Sequence, residues 1–422
     1  MKSLPCLLLL ASLAGSGSAH EAEAPPEVTR LQERIGSRDP TAEDWLQIGE
    51  AWMQHARNTL DHDFSEAREA YGEALELAPD DERALAGMAW VANSEHRFDE
   101  GAEWAHKAID RDPRCVFAYA LLGDGEMELG EYDAAFDHFQ QALDLRADLS
   151  TLSRGAHLLW LTGDTNRAMA LMRQAIDAGG RVPENEAWCR AELALMQFKT
   201  GATKAAVQQG AKALELAPDN PRVLMIMGMI RAAGGNDDEA RSLYEHSVEV
   251  NPTHEPLVGL VELAKRRGDD GAVKKWTSRV LAFHQHSHGH AEHHHHGVDH
   301  HVGSAQLALF MADQDMDAGK ALAEGKLAYE QFPNIHAADA YAWCAYKSGD
   351  LKLAKRMIRR AMKFGTAEPR FHYHAGMIAA ASGDVSGARK QLMQALDLNP
   401  DFDPIEAPKA REELERLRAT VH

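Results

Sequence analysis

The chain of 422 residues has few cysteines and no disulfide pattern. It contains four cysteines, and one of them, Cys6, lies in an apolar segment near the N-terminus. The other three, Cys115, Cys189 and Cys344, form no CxxC pair, and their wide spacing is not that of a disulfide framework. Each falls in a segment that we expect to be helical, which favours buried apolar side chains over redox or metal chemistry.

The sequence also lacks the short motifs of the common enzyme classes. It contains no GxGxxG, no Walker loop, no HExxH and no ordering of Ser, His and Asp typical of a hydrolase. We therefore predict a protein that binds rather than catalyses and that requires no cofactor for a reaction.

Positive charge is scarce, since the net charge is −20 with histidine neutral. Such a balance argues against general binding to nucleic acid or to anionic lipid. The local exception is the segment 347–363, and we interpret it as a solvated helix face. It begins at Lys347 and carries Lys352, Lys355, Arg356, Arg359, Arg360 and Lys363. No apolar run is long enough to span a membrane.

The N-terminal residues 1–19 have the organisation of a secretory signal peptide. Lys2 supplies the positive start, an apolar run centred on residues 7–10 follows, and small residues lead to a cleavage site after Ala19. We expect an exported protein that is periplasmic or extracellular after cleavage. Cys6 lies at the start of the apolar run instead of its end, so lipidation is not expected.

What the chain does contain is a pattern that recurs about every 34 residues. It is clearest in SEAREAYGEALELAPDD (65–81), YDAAFDHFQQALDLRAD (132–148), KAAVQQGAKALELAPDN (204–220), DEARSLYEHSVEVNPTH (238–254) and GARKQLMQALDLNPDFD (387–403). Small and large apolar residues alternate at offsets that share one helix face, and Pro or its substitute ends the helix. Upstream lies a second helical segment with its own small residue, as at Gly123, Gly228 and Gly376, followed by a Gly- and Asp-containing turn.

This helix–turn–helix unit resembles the tetratricopeptide repeat (TPR) over roughly residues 41–402. The recurrence is most specific at Ala67/Tyr71/Ala74/Pro79, Ala135/Phe139/Ala142 and Ala388/Leu392/Ala395/Pro400. The resemblance implies an all-α fold, a right-handed α-solenoid of about ten helix pairs with a C-terminal capping helix.

The period is broken once, by about 13 extra residues between the helix ends near 252 and at Pro333, and we assign them to a histidine-rich segment. The expected divisions are a signal peptide (1–19), a loose polar lead-in (20–40), an N-terminal TPR block (41–283), a flexible histidine-rich insertion (284–301), a C-terminal TPR block (302–402), and a capping helix with its tail (403–422).

The resemblance also implies that the first helices of the repeats line a concave groove that binds peptides or proteins. The residues expected to point into it are Trp90, Asn93, Asp124, Met127, Arg222, Met229, His336, Trp343, Tyr346, Arg370, Tyr373 and Met377. Aromatic, Met and Arg side chains are the types that anchor interfaces. For Trp90 and Trp343, packing between repeats is an equal alternative. The Lys, Asn and Arg set with which some members clamp a C-terminal carboxylate is not found, so capture of that kind is not expected.

The histidine-rich segment 284–301 carries the clearest chemical signal. Its histidines are His284, His286, His288, His290, His293, His294, His295, His296, His300 and His301. In an extended chain the first four project to one side, and the interspersed glycines favour flexibility. Neutral imidazole suits Zn, Ni and Cu, and the many overlapping ligand sets favour exchangeable binding of several ions. Affinity should fall as the pH drops through about 6.5 because protons compete for the same nitrogens.

Two functions fit these observations. The first is an exported, non-enzymatic scaffold that binds a protein or peptide in its groove and captures or passes on a divalent transition metal through the histidine-rich segment. The alternative is a pure protein–protein interaction module in which that segment is an incidental linker.

Overall fold

In the computed structural model, residues 24–60, 62–179, 182–289 and 304–419 are described, and their regular secondary structure is all α-helix. The helices are α1 (Pro26–Ile35), α2 (Ala42–Thr59), α3 (Ser65–Leu77), α4 (Glu82–Ser94), α5 (Phe98–Arg111), α6 (Val116–Glu128), α7 (Tyr132–Leu145), α8 (Leu149–Leu161), α9 (Thr165–Ala178), α10 (Pro183–Lys199), α11 (Thr203–Leu216), α12 (Pro221–Ala233), α13 (Asp237–Val250), α14 (His254–Arg267), α15 (Asp270–Gly289), α16 (Ala305–Asp313), α17 (Ala318–Gln331), α18 (Ile335–Lys347), α19 (Leu351–Ala361), α20 (Pro369–Ala381), α21 (Val385–Leu398) and α22 (Glu406–Ala419).

The helices from α2 to α21 form ten consecutive pairs. Each even-numbered helix packs most extensively on the helix that follows it, and each pair packs on the next pair along the chain except at the loose junction between the seventh and eighth pairs. The last helix, α22, covers the tenth pair through contacts with α20 and α21. The predicted fold class, a helical-repeat solenoid of about ten pairs with a terminal cap, is therefore confirmed.

Within a pair, one large side chain of the second helix fills the space over a small residue of the first. An added Cβ at Gly123 would lie 2.5 Å from the ring of Phe139, and one at Gly228 would lie 2.5 Å from the ring of Tyr244. At Gly376 the same space is filled by Leu392, which is fully buried. Glycine thus lets the two helices approach closely, and the three glycines occupy equivalent surroundings.

The expectation of a loose polar lead-in is wrong for its central part. Residues 26–35 form α1, which begins with a proline at its first turn, a position where the missing N–H costs nothing. Val28 and Ile35 are buried against Ile48 and Ala51 of α2, so α1 extends the core at the N-terminal end of the array.

The histidine-rich segment lies between the seventh and eighth pairs. The amide of Gln306 in α16 donates to Glu255 in α14 over 2.8 Å. The rings of Phe310 and His254, from the same two helices, have centroids 6.2 Å apart. These two contacts join α14 and α16 across the insertion, but the junction is looser than that between the first helices of any other neighbouring pairs.

Repeats one superhelical turn apart also touch, along what we call the inter-turn seam. Here side chains that follow the second helices of late repeats donate to carbonyls that end the first helices of early repeats. The hydrogen bonds are Asn251 Nδ2 to Thr59 O (2.9 Å), Asn334 Nδ2 to Glu128 O (3.2 Å), Thr366 Oγ1 to Leu161 O (2.6 Å) and Asn399 Nδ2 to Phe198 O (2.7 Å). The superhelix is thus wound tightly enough for its successive turns to pack directly on each other.

Candidate partner-binding surface and histidine segment

The first helices of the pairs form the inner side of the solenoid. Successive first helices such as α10 and α12, or α16 and α18, pack directly on each other, whereas successive second helices make no comparable contact. The side on which neighbours lie closer together is the concave one. A first helix is covered by second helices on its outer side, so its remaining accessible strip faces the interior.

This accessible strip shows a regular spacing in the first helices. Half-buried residues recur seven positions apart, which is two helical turns and therefore one face. The pairs include Phe117/Asp124, Ser150/His157, Trp188/Leu195, Arg222/Met229, Glu255/Glu262 and Arg370/Met377. Aromatic, sulfur-containing and charged side chains thus alternate along the inner surface.

Most residues that we expected in the groove lie on this strip or beside it. Trp90, Met127, Met229, Tyr346 and Met377 are half-buried, so part of each apolar side chain remains accessible. Asn93 is also half-buried, but its amide nitrogen donates to Leu121 O over 2.8 Å and so joins α4 to α6.

Two of the expected groove residues are core residues instead. Trp343 is 4% exposed and Tyr373 is 2% exposed. Trp343 stacks on His374 with ring centroids 4.1 Å apart, and its indole N–H donates to Asp313 over 2.7 Å. For Trp343 the alternative of packing between repeats is therefore correct, and for Tyr373 the expectation that the ring faces a partner is wrong, because the interface between neighbouring repeats buries both rings.

The charged residues of the strip pair with the neighbouring first helix. Arg154 Nε donates to Asp124 over 2.8 Å, and Arg222 Nε donates to Glu192 over 2.8 Å. Each pair is separated by 30 residues in sequence. Sequence analysis missed Arg154 and Glu192, although opposite charges 30 positions apart on first helices are a signal that could have found them.

At the C-terminal end, Arg370 joins its own first helix, α20, to the first helix α16 and to the cap α22. Its guanidinium donates to Asp313 Oδ2 over 2.8 Å and to Glu406 Oε1 over 3.0 Å. Burial alone would raise the pKa of Glu406, but the positive charges of Arg370 and His374 have the larger effect and lower it to about 2. The cap α22 is therefore fixed to the array by buried ion pairs.

His374 completes this network, and sequence analysis did not select it. The ring is fully buried, and its Nδ1 lies 2.9 Å from Asp339 Oδ1. Burial alone would lower the pKa of His374, but Asp339 and Glu406 raise it to about 9. The imidazole is thus held in its charged form inside the core.

Two accessible groups of the inner surface lack a partner of opposite charge among the described residues. Burial, and then the neighbouring Asp403, raise the pKa of Glu262 well above its usual value. Arg57 lies over the ring of Trp188, 5.2 Å from its centroid, without a carboxylate partner. A carboxyl group of the seventh pair and a guanidinium group of the first pair are therefore available on the inner surface.

His336, the remaining residue of the expected groove set, is the most accessible of that set. Its ring packs against Phe371 with centroids 5.4 Å apart. Desolvation by the surrounding repeats, and then the positive charge of Lys199, lower the pKa of His336 to about 4, so the ring is neutral near pH 7.

The histidine segment departs from expectation at its beginning. The helix α15 runs to Gly289, so His284, His286 and His288 belong to a helix and not to an extended chain. His284 is 5% exposed, and its Nε2 lies 2.8 Å from Nδ1 of His254, which is also buried. The expectation that flexibility begins at His284 is wrong because a buried contact with α14 holds this residue. The positions from His290 to His301 lie outside the described residues.

No three His, Cys, Asp or Glu side chains of the described ranges come together as a metal site. Cys115, Cys189 and Cys344 are buried and unbridged, as expected. None of the helices in the part of the chain that the structure describes has the length and apolar character of a membrane span.

The arrangement of hairpins, cap and inner strip defines a helical-repeat scaffold. Models of the tetratricopeptide repeat match residues 61–114, 95–150 and 369–402. Together with the repeating helix pairs, these matches support a protein of the tetratricopeptide repeat family, and the models cover less than half of the chain.

Curated relatives share limited segments with this chain. The human mitochondrial import receptor subunit TOM70 is 26% identical over 141 residues, which are 31% of this chain and 22% of the receptor subunit. The Arabidopsis thaliana protein CTR9 homolog is 25% identical over 208 residues, 47% of this chain and 19% of that protein. The match therefore spans about a fifth of the length of these relatives.

Solved structures with similar helix arrays include yeast Tom70. It is 15% identical, with 93% of this chain and 92% of that chain covered and a TM-score of 0.39. The APC/C hetero-tetramer Cut9–Hcn1 is 13% identical, with 92% and 80% covered and a TM-score of 0.43.

Proposed function

We propose that this chain is a non-enzymatic scaffold that binds a protein or peptide partner on the inner strip of its solenoid. The observation that carries the proposal is the row of half-buried Met, aromatic and charged side chains at seven-residue spacing on the first helices. Such residues give large contact areas, and accessible Met side chains adapt to varied partners. Names of relatives, an import receptor subunit and an Hsp70–Hsp90 organizing protein, agree with a role in protein binding.

The chemistry of the strip suggests what the partner presents. The apolar parts of Met229 and Met377 favour an apolar anchor. Glu262 would accept a basic side chain, and Arg57 over Trp188 would accept a carboxylate. A segment with an apolar centre and charges of both signs fits this surface best.

Site-specific photo-crosslinking tests this proposal. A benzophenone amino acid replaces Met229 or Met377 on the inner strip, and Met393, which is 46% exposed on the second helix α21, serves as the outer control. We expect both inner positions to capture the same protein from the native cell and Met393 to capture none of it. Equal capture from Met393, or no shared protein at the inner positions, would contradict the proposal.

We further propose that the segment from His290 to His301, together with His286 and His288, binds divalent transition metal ions. The support is the density of imidazole groups in this segment of the sequence. His284 is excluded from this set because it is buried against His254.

Titration calorimetry with Zn²⁺, Ni²⁺ and Cu²⁺ compares the full chain with a variant lacking residues 290–301. We expect micromolar or tighter binding, at or below about −8 kcal/mol, in the full chain. The deletion should abolish that binding and leave the helical circular dichroism signal unchanged. If the deletion leaves affinity intact, or if the full chain binds only weakly, the alternative of a pure interaction module with an incidental linker is correct.

Export completes the proposal and is supported by the signal-like residues 1–19. N-terminal sequencing of the protein recovered from the periplasm or medium should give a start after Ala19. Recovery of the full-length N-terminus from the cytoplasm alone would exclude export.

A further inference from the structure

Negative charge is not spread evenly along this acidic chain. The first three helix pairs, residues 41–150, contain 26 Asp and Glu against eight Lys and Arg, so they carry 18 of the 20 net negative charges. The rest of the chain is close to neutral as a whole. Negative charge is therefore concentrated in the first repeats. Two second helices, one in the first repeat and one in the ninth, carry opposite charges on their exposed faces.

The second helix of the first repeat, α3, carries an acidic stripe. We use this name for Glu66, Glu69, Glu73 and Glu76, all of which are exposed. Spacings of three and four residues place them on one helix face over about 15 Å. Leu77 is next to this stripe and 56% exposed, the largest exposure among the large apolar side chains of the described residues.

The second helix of the ninth repeat, α19, carries the opposite charge. We use the name basic stripe for Lys352, Lys355, Arg356 and Arg359, which lie three or four residues apart, except for the adjacent Lys355 and Arg356, and extend over about 10 Å of one helix face. Three of them are exposed and Lys355 is half-buried. The helix contains no acidic residue.

Neither stripe is neutralised within the chain. Elsewhere on the surface arginines pair readily, as in Arg83 with Glu43 at 2.8 Å. Among the described residues, by contrast, no member of the acidic stripe or of the basic stripe forms an ion pair or hydrogen bond through its side chain. Like charges on one helix face repel each other, and a surface of opposite sign relieves that repulsion.

We propose that the basic stripe of one copy docks on the acidic stripe of a second copy, so that the chain associates head to tail. The two stripes carry opposite charges along one helix face each, the basic stripe is short enough to lie within the length of the acidic one, and the exposed Leu77 adds an apolar contact beside the acidic stripe. Because the two surfaces differ, the contact is heterologous, and the pair of copies retains one free stripe of each sign for further copies. This proposal is independent of what the inner strip binds.

Sedimentation velocity of the full chain at low and high salt tests the proposal. Association should rise with concentration and weaken about tenfold or more between 30 and 500 mM salt, because exposed charges are screened beyond about a Debye length. Two reversal variants separate the partners: Lys352→Glu/Arg356→Glu/Arg359→Glu and Glu66→Lys/Glu69→Lys/Glu73→Lys. Each alone should remain monomeric, and an equal mixture should regain association because one stripe of each sign is again available. Circular dichroism should show native helix content in both.

The matched control is Lys204→Glu/Lys212→Glu on α11, which changes exposed lysines without an ion-pair partner outside the two stripes. It should associate like the natural chain. A chain that is monomeric at low salt, or a mixture that fails to regain association, would overturn the proposal. Flotation with phosphatidylglycerol vesicles that depends on the basic stripe of a monomeric chain would also overturn it and assign that stripe to lipid.

Discussion

The inter-turn seam makes a prediction about two glycines with the same backbone conformation and different surroundings. Gly163 and Gly349 both follow a first helix in the left-handed region, with φ of 86° and 88°. An added Cβ at Gly163 would lie 2.3 Å from the carbonyl oxygen of Phe364, across the seam, whereas one at Gly349 would meet nothing within 4 Å. Alanine at the two positions therefore separates backbone strain from loss of the seam.

Backbone strain alone should cost about 1–2 kcal/mol at either position, since left-handed geometry brings Cβ too close to the following carbonyl. At Gly163 the turns must also move apart. This would stretch the hydrogen bond from Thr366 Oγ1 to Leu161 O, now 2.6 Å, which is worth about 1 kcal/mol. It would also disturb the packing of Phe364 on Tyr132, whose ring centroids are 5.0 Å apart. We expect Gly163→Ala to cost about 1–3 kcal/mol more than Gly349→Ala.

Urea unfolding followed by circular dichroism measures the two costs. Small-angle X-ray scattering adds an independent measurement, because an opened seam should increase the radius of gyration of Gly163→Ala and leave that of Gly349→Ala unchanged. A third variant, Thr366→Val, removes only the hydroxyl donor and should cost about 1 kcal/mol or more. Equal costs for the two glycines, within about 0.5 kcal/mol, together with an unchanged radius, would refute the existence of the seam in solution.

Three further predictions follow from the repeat packing and the buried groups. Gly228→Ala should destabilise the chain by about 1–3 kcal/mol through overpacking against Tyr244. Adding Tyr244→Met to that variant should recover part of the lost stability in thermal melts. No recovery would contradict the conclusion that the Tyr244 ring fills the space over Gly228. The pKa of His374 is raised to about 9 in the folded chain, so its contribution to the free energy of unfolding should be complete below about pH 6.5 and lost as the pH rises through 9. Urea unfolding at pH 6 and at pH 9.5 should show this loss. The stability of His374→Gln should not lose this contribution over the same interval. Burial raises the pKa of Cys189 and of Cys344 to about 12, so a thiol reagent should label them only after denaturant is added, and rapid labelling of the native chain would show that the core opens.

The repeat register could be predicted because it depends on local patterns. The small residues at Gly123, Gly228 and Gly376 and the large residues 16 positions later lie in the same hairpin, so their spacing directly reports their contact. The burial of the cysteines followed from the same register. The helix α1 was missed because its apolar residues are too few to show a helical period.

The fate of individual site residues was harder to predict. A position on a first helix can face the interior or the adjacent repeat, and the spacing alone does not distinguish these. Trp343 is buried because Asp313, in the preceding repeat, accepts its indole hydrogen bond. His284 is buried because His254 lies opposite on α14, a contact that composition does not reveal.

The sequence by itself determined the helical hairpins, their number and the place where the repeat is interrupted, since each depends on side chains within one period. Only the tertiary structure decided that successive turns meet along a seam and that acidic and basic stripes lie unpaired on the outer helices. The physical reason is that a superhelix adds up the small rotation between every pair of neighbouring repeats. Whether residues about 200 positions apart come into contact therefore depends on the rotation accumulated over several repeats, which the sequence of one repeat does not determine.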